Sequence, residues 1–394
     1  MQKVKLKEII GKAISGEWGT DDIDGTGVPV LRTANFTNNG VISYKNVILR
    51  NLGEKVCSEK FLHHGDIIIE KSGGSDKQPV GRVVYFDGEN NKYLFNNFTA
   101  LLRVKDQDKW STKYVFYYLF NSYAKGNTLK FQNKTTGLHN LQLDNYINSL
   151  CVFEITYNEQ IYIVNEIDKV VDLIEKRKKQ IEKLDELVRS RFVEMFGDPI
   201  RNEKGWIYEI LGNVCLKIIG GGTPSKSCPE YYKGNIPWVT PKDMKTNIIE
   251  DSIDHISENA INKSTTNVIP VNSVLMVIRS GILKHSLPIA INRKVVTINQ
   301  DMKAFVPNNR ISAIYLMFYF KSIESNILNG VRAVTADNID FKDFVKRKIS
   351  LPPIELQNKF AEFVEKVEKT KSAIKKSLYS LETLKKSLMQ KYFG

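Results

Sequence analysis

The sequence lacks the short motifs that mark common enzymes acting on nucleotides. No G-x-x-x-x-G-K-[ST] loop occurs, which excludes a P-loop site for hydrolysis of nucleoside triphosphates. No [NDS]-P-P-[YFW] tetrapeptide or F-x-G-x-G pattern for S-adenosylmethionine is present, and no P-D…[DE]-x-K nuclease cluster is recognisable. The 5 histidines show no H-E-x-x-H or comparable metal-ligand spacing. These absences predict a binding protein or adaptor rather than a catalyst.

Cysteines and long apolar runs are also scarce. The 4 cysteines contain no C-x-x-C pair, which argues against a zinc site and a disulfide framework and favours buried free thiols. The strongest apolar enrichment, residues 311–320, is shorter than the roughly 20 residues that a membrane-spanning helix needs. The N-terminus shows no signal-peptide pattern, so we expect a cytoplasmic protein without a membrane partner. The cysteines are Cys57, Cys151, Cys215 and Cys228.

Basic residues are in excess over acidic ones. The chain has 57 Lys and Arg against 44 Asp and Glu, a formal net charge of +13. This balance makes a polyanionic partner plausible. A length of 394 residues suggests two or three folded units.

The second half of the chain repeats the first. "LDELVRSRFVEMFG" at 184–197 matches "LETLKKSLMQKYFG" at 381–394, and this register holds without a gap from about residue 150 to the end. Upstream the matches continue with a drifting offset, as small insertions produce: "YVFYYLF" resembles "YLMFYFK", and "VPVLRTANF" resembles "IPWVTPKDM". The chain is therefore an internal duplication, in which each copy consists of one variable domain followed by one helix.

The repeated ends are predicted to be helices that pair as a coiled coil. Apolar residues fall seven apart in both, and charged residues occupy most remaining positions. Gly197 supplies a stop after the first helix, and Pro352 and Pro353 precede the second. Two ordinary amphipathic helices, each packed on its own domain, are the alternative. The predicted helix-pair interface is Ile167, Ile174, Ile181 and Val188 with Val367, Ile374, Leu381 and Leu388.

Connectivity predicts the direction of the pairing. Because the termini of a domain usually lie close together, the second helix must run back toward the first domain. This gives an antiparallel coiled coil with one globular domain at each end and a pseudo-two-fold internal duplication. We predict a first domain at 1–155, a first spacer helix at 156–197, a second domain at 198–353 and a second spacer helix at 354–394.

Both globular halves mix strand-like and helical segments. "DIIIEK", "GRVVYF" and "ALLRV" in the first half, and "SVLMVI", "LPIAI" and "KVVTI" in the second, are apolar or alternating runs bounded by turn residues. "YVFYYLFNSYA" and "IYLMFYFKSI" are typical of short buried helices. The predicted fold class is α+β.

Loops between these segments are the expected binding surface. "GGGTPSKSCPEYYKGN" at 220–235 suits phosphate contacts and stacking, although a surface turn explains it equally well. "KSGG" and "RSG" place Lys71 and Arg279 at equivalent loop entrances, and Lys134 and Arg332 each precede a helix start. Arg and Lys can read guanine, and Asn and Gln adenine; a solvated surface role is the alternative for each. The candidate DNA-binding residues are Arg32, Lys71, Ser72, Asn133, Lys134, Thr223, Lys226, Lys242, Arg279, Lys284 and Arg332.

These residues resemble a known family. "GGGTPSKSCPEYYKGNIPWVTPKDM" is similar to the start of a target-recognition domain in the specificity subunit of type I restriction-modification enzymes. The segment from "LPPIELQ" to the C-terminus is similar to that family's C-terminal helical region. The resemblance covers essentially the whole chain, and the domain-helix-domain-helix duplication is its most specific part. The first helix departs from the pattern, because it opens from "FEITYNEQ".

The resemblance implies a DNA specificity subunit with no catalysis of its own. Each target-recognition domain would read one half of a bipartite site in double-stranded DNA, and the helix pair would set the spacing. Modification subunits, two in number, would dock and carry the adenine methyltransferase chemistry, and restriction subunits, which are motor-nucleases, could join. No cofactor is expected in this chain, since S-adenosylmethionine would be bound by the modification subunit.

Two other classes of protein remain as alternatives. A scaffold that only dimerises through its heptads accounts for the helices but leaves two matched sets of basic loops without a role. A catalytic protein with an unrecognised site, such as a fused methyltransferase or nuclease, needs motifs that the sequence does not contain.

Overall fold

The chain divides into two compact units, each of which includes parts of two long helices. The computed structural model describes residues 2–52, 58–135, 138–330, 332–333 and 337–394, with the backbone alone at 134, 135, 332, 333 and 337. Unit 1 comprises Met1–Lys176 and Ser377–Gly394, and unit 2 comprises Arg177–Lys376. Within the described ranges, none of the helices has both the length and the apolar character that crossing a bilayer requires.

In its described residues, unit 1 contains short strands, three short helices, the start of one long helix and the end of the other. The four sheets have the strand orders β1-β13, β2-β10-β6-β8, β3-β5-β4-β9 and β11-β12-β7. In chain order the elements are β1 (Lys3–Lys5), α1 (Leu6–Ile10), β2 (Ile14–Ser15), β3 (Thr20–Asp21), β4 (Val28–Leu31), β5 (Ile48–Asn51), β6 (Ile67–Glu70), β7 (Ser72–Gly74), β8 (Val83–Tyr85), β9 (Leu94–Phe95), β10 (Thr99–Leu102), α2 (Thr112–Ala124), β11 (Gln132–Thr135), β12 (Leu138–Leu141), α3 (Leu143–Ser149), β13 (Cys151–Phe153) and α4 (Tyr157–Phe196).

Strand β6 separates the two cores of unit 1. Because side chains alternate across a strand, Ile67 and Ile69 face one core while Ile68 faces the other. The first core packs the sheet against α2, and the second packs it against Leu31 of β4 and against Phe86, which follows β8. Burial on both faces explains why "DIIIEK" lacks the apolar-polar alternation of a half-exposed strand.

Unit 2 repeats this plan with one larger sheet. Its sheets have the orders β14-β26, β15-β23-β20-β21-β17, β18-β16-β22-β19 and β24-β25. In chain order the elements are β14 (Ile207–Ile210), β15 (Cys215–Gly220), β16 (Ile236–Val239), β17 (Ile248–Ile249), β18 (His255–Ile256), α5 (Glu258–Asn262), β19 (Val268–Ile269), β20 (Val274–Val277), β21 (Ile289–Asn292), β22 (Val296–Ile298), β23 (Met302–Pro307), α6 (Ala313–Ser322), α7 (Glu324–Leu328), β24 (Arg332–Ala333), β25 (Asp337–Asn338), α8 (Phe341–Phe344), β26 (Lys348–Leu351) and α9 (Ile354–Phe393).

The predicted elements are confirmed in both units. The six strand-like runs overlap β6, β8, β10, β20, β21 and β22, and the two buried helices are α2 and α6. The first and last strands of each globular region pair antiparallel, β1 with β13 and β14 with β26. The two ends of each region therefore lie side by side, as the connectivity argument requires. The α+β fold class, with an internal duplication and two long helices, is confirmed.

The long helices start differently and are fixed in the same way. Before α4, Thr156 and Glu159 form a reciprocal capping box, whereas Pro353 precedes α9. The hydrogen bonds from Thr156 hold the pKa of Glu159 below its usual value. The capping box thus replaces the proline turn that the sequence around the first helix lacks. At the other end, α4 stops at Gly197, whose φ of 76° suits a glycine cap.

A buried glutamine near the start of each long helix ties it to the globular region. The Gln160 Oε1 atom accepts a hydrogen bond from the Ser111 backbone N at 2.9 Å, and its Nε2 donates to two backbone carbonyls. Gln357 repeats the arrangement, accepting from the Ser312 backbone N at 2.8 Å and donating to two carbonyls. Neither glutamine is exposed to solvent. The repeat is therefore preserved at the level of single hydrogen bonds.

The end of each long helix packs in the unit that contains the start of the other. In unit 1, the Phe393 ring at the end of α9 lies 5.4 Å from Tyr114 and 5.9 Å from Tyr118. In unit 2, the Phe196 ring at the end of α4 lies 4.8 Å from Tyr315 and 5.5 Å from Phe360. The helices are consequently paired antiparallel. All eight predicted interface residues are buried or half-buried, although their individual roles stay predictions.

Candidate nucleic-acid interface

The backbone register reveals which loop residues of the two units are equivalent. Ser72 on β7 pairs with Asn140 on β12, and Arg279 forms the corresponding bridge to Asn338 on β25. Asn140 and Asn338 match at the offset of 198 that the sequence predicts for this segment. Ser72 therefore occupies the position of Arg279. The predicted equivalence of Lys71 with Arg279 is wrong by one residue, and a slip of one residue turns a side chain to the opposite face.

In unit 2, Arg279 is held in place by a chain of hydrogen bonds. Its Nε and Nη2 atoms each lie 2.7 Å from Oδ1 of Asp301. The other carboxylate oxygen of Asp301 accepts a hydrogen bond from Nδ2 of the buried Asn299 at 3.0 Å. Nearby, the Thr223 hydroxyl donates to the side chain of Gln300, which precedes Asp301 in the chain. The structure thus bonds two predicted residues, Thr223 and Arg279, to consecutive residues of one loop.

In unit 1, the same framework carries uncharged side chains. The backbone N of Ser72 donates to the carbonyl of Phe98, as the backbone N of Arg279 does to that of Asp301. Phe98 therefore stands where unit 2 has Asp301, and the residue is 43% exposed. The Ser72 hydroxyl is bonded to the Asn140 side chain. The exposed Asn133 lies opposite Asn140 across the ladder of β11 and β12, so a row of polar side chains crosses this sheet.

Lys71 lies beside this row but points differently from Ser72. Its amine donates a hydrogen bond to the Ser15 hydroxyl. Partial burial lowers the pKa of Lys71, because desolvation disfavours the charged amine. Lys71 is therefore half-buried beside β2 rather than extended into solvent.

The glycine-rich loop of unit 2 is shaped by packing against its own domain. A Cβ added at Gly221 would lie 2.0 Å from the Asn299 carbonyl oxygen, and the matching position in unit 1 is Gly16, with 2.2 Å to the Asn96 carbonyl oxygen. Trp238 Nε1 donates to the Gly222 carbonyl at 3.0 Å. These glycines are required for close approach within the domain. The equivalence of "GEW" with "GGT" was missed in the sequence because only the glycine is shared.

The remaining predicted residues are placed separately. Arg32 follows β4 and donates to the Asn46 carbonyl at 3.2 Å. Lys242 follows the equivalent strand β16, and its ion pair with Asp254 at 2.5 Å raises the pKa of the lysine amine. Lys226 and Lys284 are exposed. The side chains of Lys134 and Arg332, and the whole of Cys57, lie outside the described residues.

Sequence reasoning missed a buried charge network in unit 2. Lys371 on α9 is 6% exposed and forms ion pairs with Asp185 at 2.6 Å and Glu368 at 3.0 Å. Burial opposes the charge of Lys371, but these hydrogen bonds prevail and hold its pKa above the usual value. Asn247 links Glu368 to Lys321, the amine of which is desolvated. The heptad pattern gave no signal for a buried lysine, because lysine is ordinary on a helix surface.

Four members of this network, Asp185, Asn247, Glu368 and Lys371, line a cavity of about 860 Å³ within unit 2. Burial lowers the pKa of Lys321 to about 8. Charges of both signs line the cavity, including Glu365 and Arg293, whose side chains are 2.9 Å apart. The internal pairing indicates a structural role for these charges in joining the helix pair to the second globular region.

Comparison with protein families gives two matches in the chain. The family model described as "Type I restriction modification DNA specificity domain" matches residues 1–183 and again residues 203–383. The chain is 30% identical over 315 residues to the type I restriction enzyme EcoR124I/EcoR124II specificity subunit of Escherichia coli, covering 75% of each chain. It is 23% identical over 204 residues to the MjaVIII specificity subunit of Methanocaldococcus jannaschii, covering 52% of this chain and 45% of the relative.

Solved structures share the fold over the full length. A type I restriction-modification S subunit from M. genitalium superposes with a TM-score of 0.61 at 15% identity, covering 100% of this chain and 96% of the other. A chain from a structure on complex assembly and conformational transition of the type I R-M system gives a TM-score of 0.57 at 18% identity, covering 100% and 97%. At sequence identities of 15% and 18%, these superpositions show that the fold is shared and nothing more.

Proposed function

The chain belongs to the type I restriction modification DNA specificity family, and from this membership we propose that residues 1–155 and 198–353 each read one half of a bipartite DNA site. The protein is a specificity subunit, the non-catalytic DNA-recognition component of a type I restriction-modification system. Its role is therefore to direct chemistry that partner subunits perform.

One observation carries the proposal of two separate readers. The two units share a backbone framework down to matching ladder partners, yet the side chains at matching positions differ, with Ser72 in one unit and Arg279 in the other. If the shared backbone framework positions each unit on DNA and the side chains read the bases, then different side chains at matching positions suit two half-sites of different sequence. The net charge of +13 supports binding to a polyanion.

The helix pair is proposed to set the unread gap and to dock the partners. Modification subunits would supply adenine methylation and bind S-adenosylmethionine, and restriction subunits would join the same complex. Because the chain is internally duplicated, we propose two modification subunits, one for each repeat. We also propose a cytoplasmic location, because the complex would act on host DNA.

The experiment that tests this proposal is selection from a library of randomised duplex DNA. The chain would be purified in complex with its modification subunits, and the bound fragments would be sequenced. We expect two short half-sites separated by a gap of constant length. A continuous enriched motif, or no enrichment over the unselected library, contradicts the proposal.

A further inference from the structure

Resting on the proposed function, the register of the two units points to one base-reading position that each unit fills with different chemistry. We propose that Arg279, positioned by Asp301, reads a G·C pair in the half-site of unit 2. At the equivalent position in unit 1, Ser72, Asn140 and Phe98 read an A·T pair. The two half-sites should therefore differ at this base pair, with G·C in the half-site of unit 2 and A·T in that of unit 1.

The equivalence rests on backbone hydrogen bonds rather than on sequence likeness. The backbone N of Ser72 and that of Arg279 donate to matching carbonyls, those of Phe98 and Asp301, at 3.1 and 3.2 Å. On the other side, Ser72 pairs with Asn140 in unit 1, and Arg279 forms an isolated bridge to Asn338 in unit 2. Two independent neighbours thus fix the same register, so the side chains leave the backbone at matching points.

Arg279 has the geometry of a prearranged guanine reader. Its Nε and Nη2 atoms face one carboxylate oxygen of Asp301, which fixes the plane of the guanidinium group. Nη1 and the second N–H of Nη2 remain directed away from that carboxylate, and the side chain is 47% exposed. Two parallel N–H donors are what the O6 and N7 acceptors of guanine require. Asn299 holds the carboxylate in turn, so little side-chain freedom is lost on binding.

Unit 1 offers the opposite chemistry at this point. No cation replaces Arg279, because the position is held by Ser72, and the carboxylate is replaced by the exposed ring of Phe98. An apolar ring suits the methyl group of thymine, and the asparagine amide can pair with adenine through its N–H and C=O groups. Asn140 stands beside Ser72 with its side chain already oriented by the serine hydroxyl. A guanine at this position would not meet the pair of guanidinium N–H donors that Arg279 offers in unit 2.

The primary test changes Arg279 and reads the methylation motif of host DNA. Arg279→Gln, expressed with the cognate modification subunits, should lower discrimination for guanine at one position of one half-site by about tenfold or more. The other half-site and the gap should stay unchanged. Asp301→Asn, which leaves Arg279 in place but removes its charged support, should relax the same position to a smaller extent. Both variants should show the wild-type thermal unfolding curve.

Two further variants make the test specific. Arg310 has similar exposure to Arg279 and its own carboxylate partner, Glu209 at 2.9 Å, so Arg310→Gln is the matched control and should leave the motif unaltered. Lys242→Gln removes a candidate phosphate contact and should weaken methylation evenly across sequences. An unchanged motif in Arg279→Gln, or an even loss of the kind expected for Lys242→Gln, overturns the assignment.

An exchange of chemistry provides an independent gain-of-function test. The double variant Ser72→Arg with Phe98→Asp installs the arginine-carboxylate pair in unit 1. It should shift one base pair of that half-site from A·T to G·C and leave the half-site of unit 2 unaltered. A folded double variant that retains the A·T preference contradicts the proposed equivalence.

Failure of this inference is distinguishable from failure of the proposed function. If the wild-type complex methylates a bipartite motif but the variants leave it intact, the two-reader function stands and the base assignment is wrong. If the wild-type motif is continuous, the proposed function itself is wrong, and the wild-type complex alone is enough to show it.

Discussion

Single buried side chains carry much of the connection between the helices and the globular regions. The Gln160 amide satisfies one backbone N–H and two backbone carbonyls, which no apolar residue of the same size can do. Gln160→Leu should therefore leave the Ser111 backbone N–H unpaired in a buried place, at a cost of about 2 kcal/mol or more. We expect hydrogen exchange at the Ser111 amide to accelerate by roughly thirtyfold.

The control for this prediction is a glutamine on the surface of the same helix. Gln180 is exposed on α4, so Gln180→Leu should leave exchange at the Ser111 amide at the wild-type rate. Equal exchange in Gln160→Leu and the wild-type protein would show that the buried amide makes no contribution to local stability.

Lys321 predicts a pH dependence of stability in unit 2. Its folded-state pKa is lowered to about 8, below the ordinary value of 10.5, so the unfolded chain binds more protons between these two values. Stability should consequently rise as the pH increases from about 8 to about 10.5, by on the order of 2–3 kcal/mol. Denaturant unfolding of wild-type protein and Lys321→Met across this range would measure the difference, and the rise should be missing in the variant.

A neighbouring lysine separates this effect from general alkaline behaviour. Lys245 lines a pocket together with Lys321 but is exposed, so Lys245→Met should keep the wild-type rise. If Lys321→Met and the wild-type protein follow the same curve, then the Lys321 amine is not destabilised by burial.

Which residues of the candidate site are predictable from sequence depends on the local register. Residue type and loop position indicate Arg279 and Thr223, and the structure joins them through Gln300 and Asp301. The matching of Lys71 with Arg279 is wrong because the shared serine and glycine favour the wrong offset. Short loops contain too few residues to fix a register, whereas ladder hydrogen bonds fix it directly.

At the scale of elements, the ends of the long helices are parts of the globular cores. The Phe393 side chain is 5% exposed and belongs to the core of unit 1, although it is the penultimate residue of the chain. Phe393→Ala should destabilise unit 1 by about 3–4 kcal/mol, because a large cavity is left between α9 and α2. Hydrogen exchange of α2 peptides should rise strongly, while α6 peptides in unit 2 should keep their protection.

An exposed aromatic residue of the same helix serves as the control. Tyr379 on α9 is 73% exposed, and Tyr379→Ala should change the free energy of opening of α2, measured by hydrogen exchange, by less than about 0.5 kcal/mol. If Phe393→Ala leaves α2 as protected as Tyr379→Ala does, the docking of the helix end is not stabilising.

Long elements are the most predictable part of the fold. The two helices of 40 residues carry a periodic apolar pattern over many turns, so their existence and pairing follow from the sequence. Strands of two residues such as β2 and β3 have no pattern of their own and arise only from tertiary pairing. The burial of Lys371 is unpredictable for a related reason, since it depends on ion pairs that include a residue distant in sequence.

At the scale of the whole molecule, the duplication links the fold to the proposed function. Each unit contains one globular region, the start of one long helix and the end of the other. Both regions present matching ladder positions with different side chains, such as Ser72 and Arg279. The proposed consequence is that half-site sequence and gap length are determined by separate parts of the chain, the loops and the helices respectively.

The most direct measurement of this claim is the methylation motif after insertion of one heptad near the middle of both long helices. A heptad keeps the apolar seam in phase and lengthens each helix by about 10 Å, which corresponds to about 3 base pairs of DNA. The account predicts that both half-sites keep their sequences while the unread gap grows by about that number. Altered half-sites with an unchanged gap would contradict it.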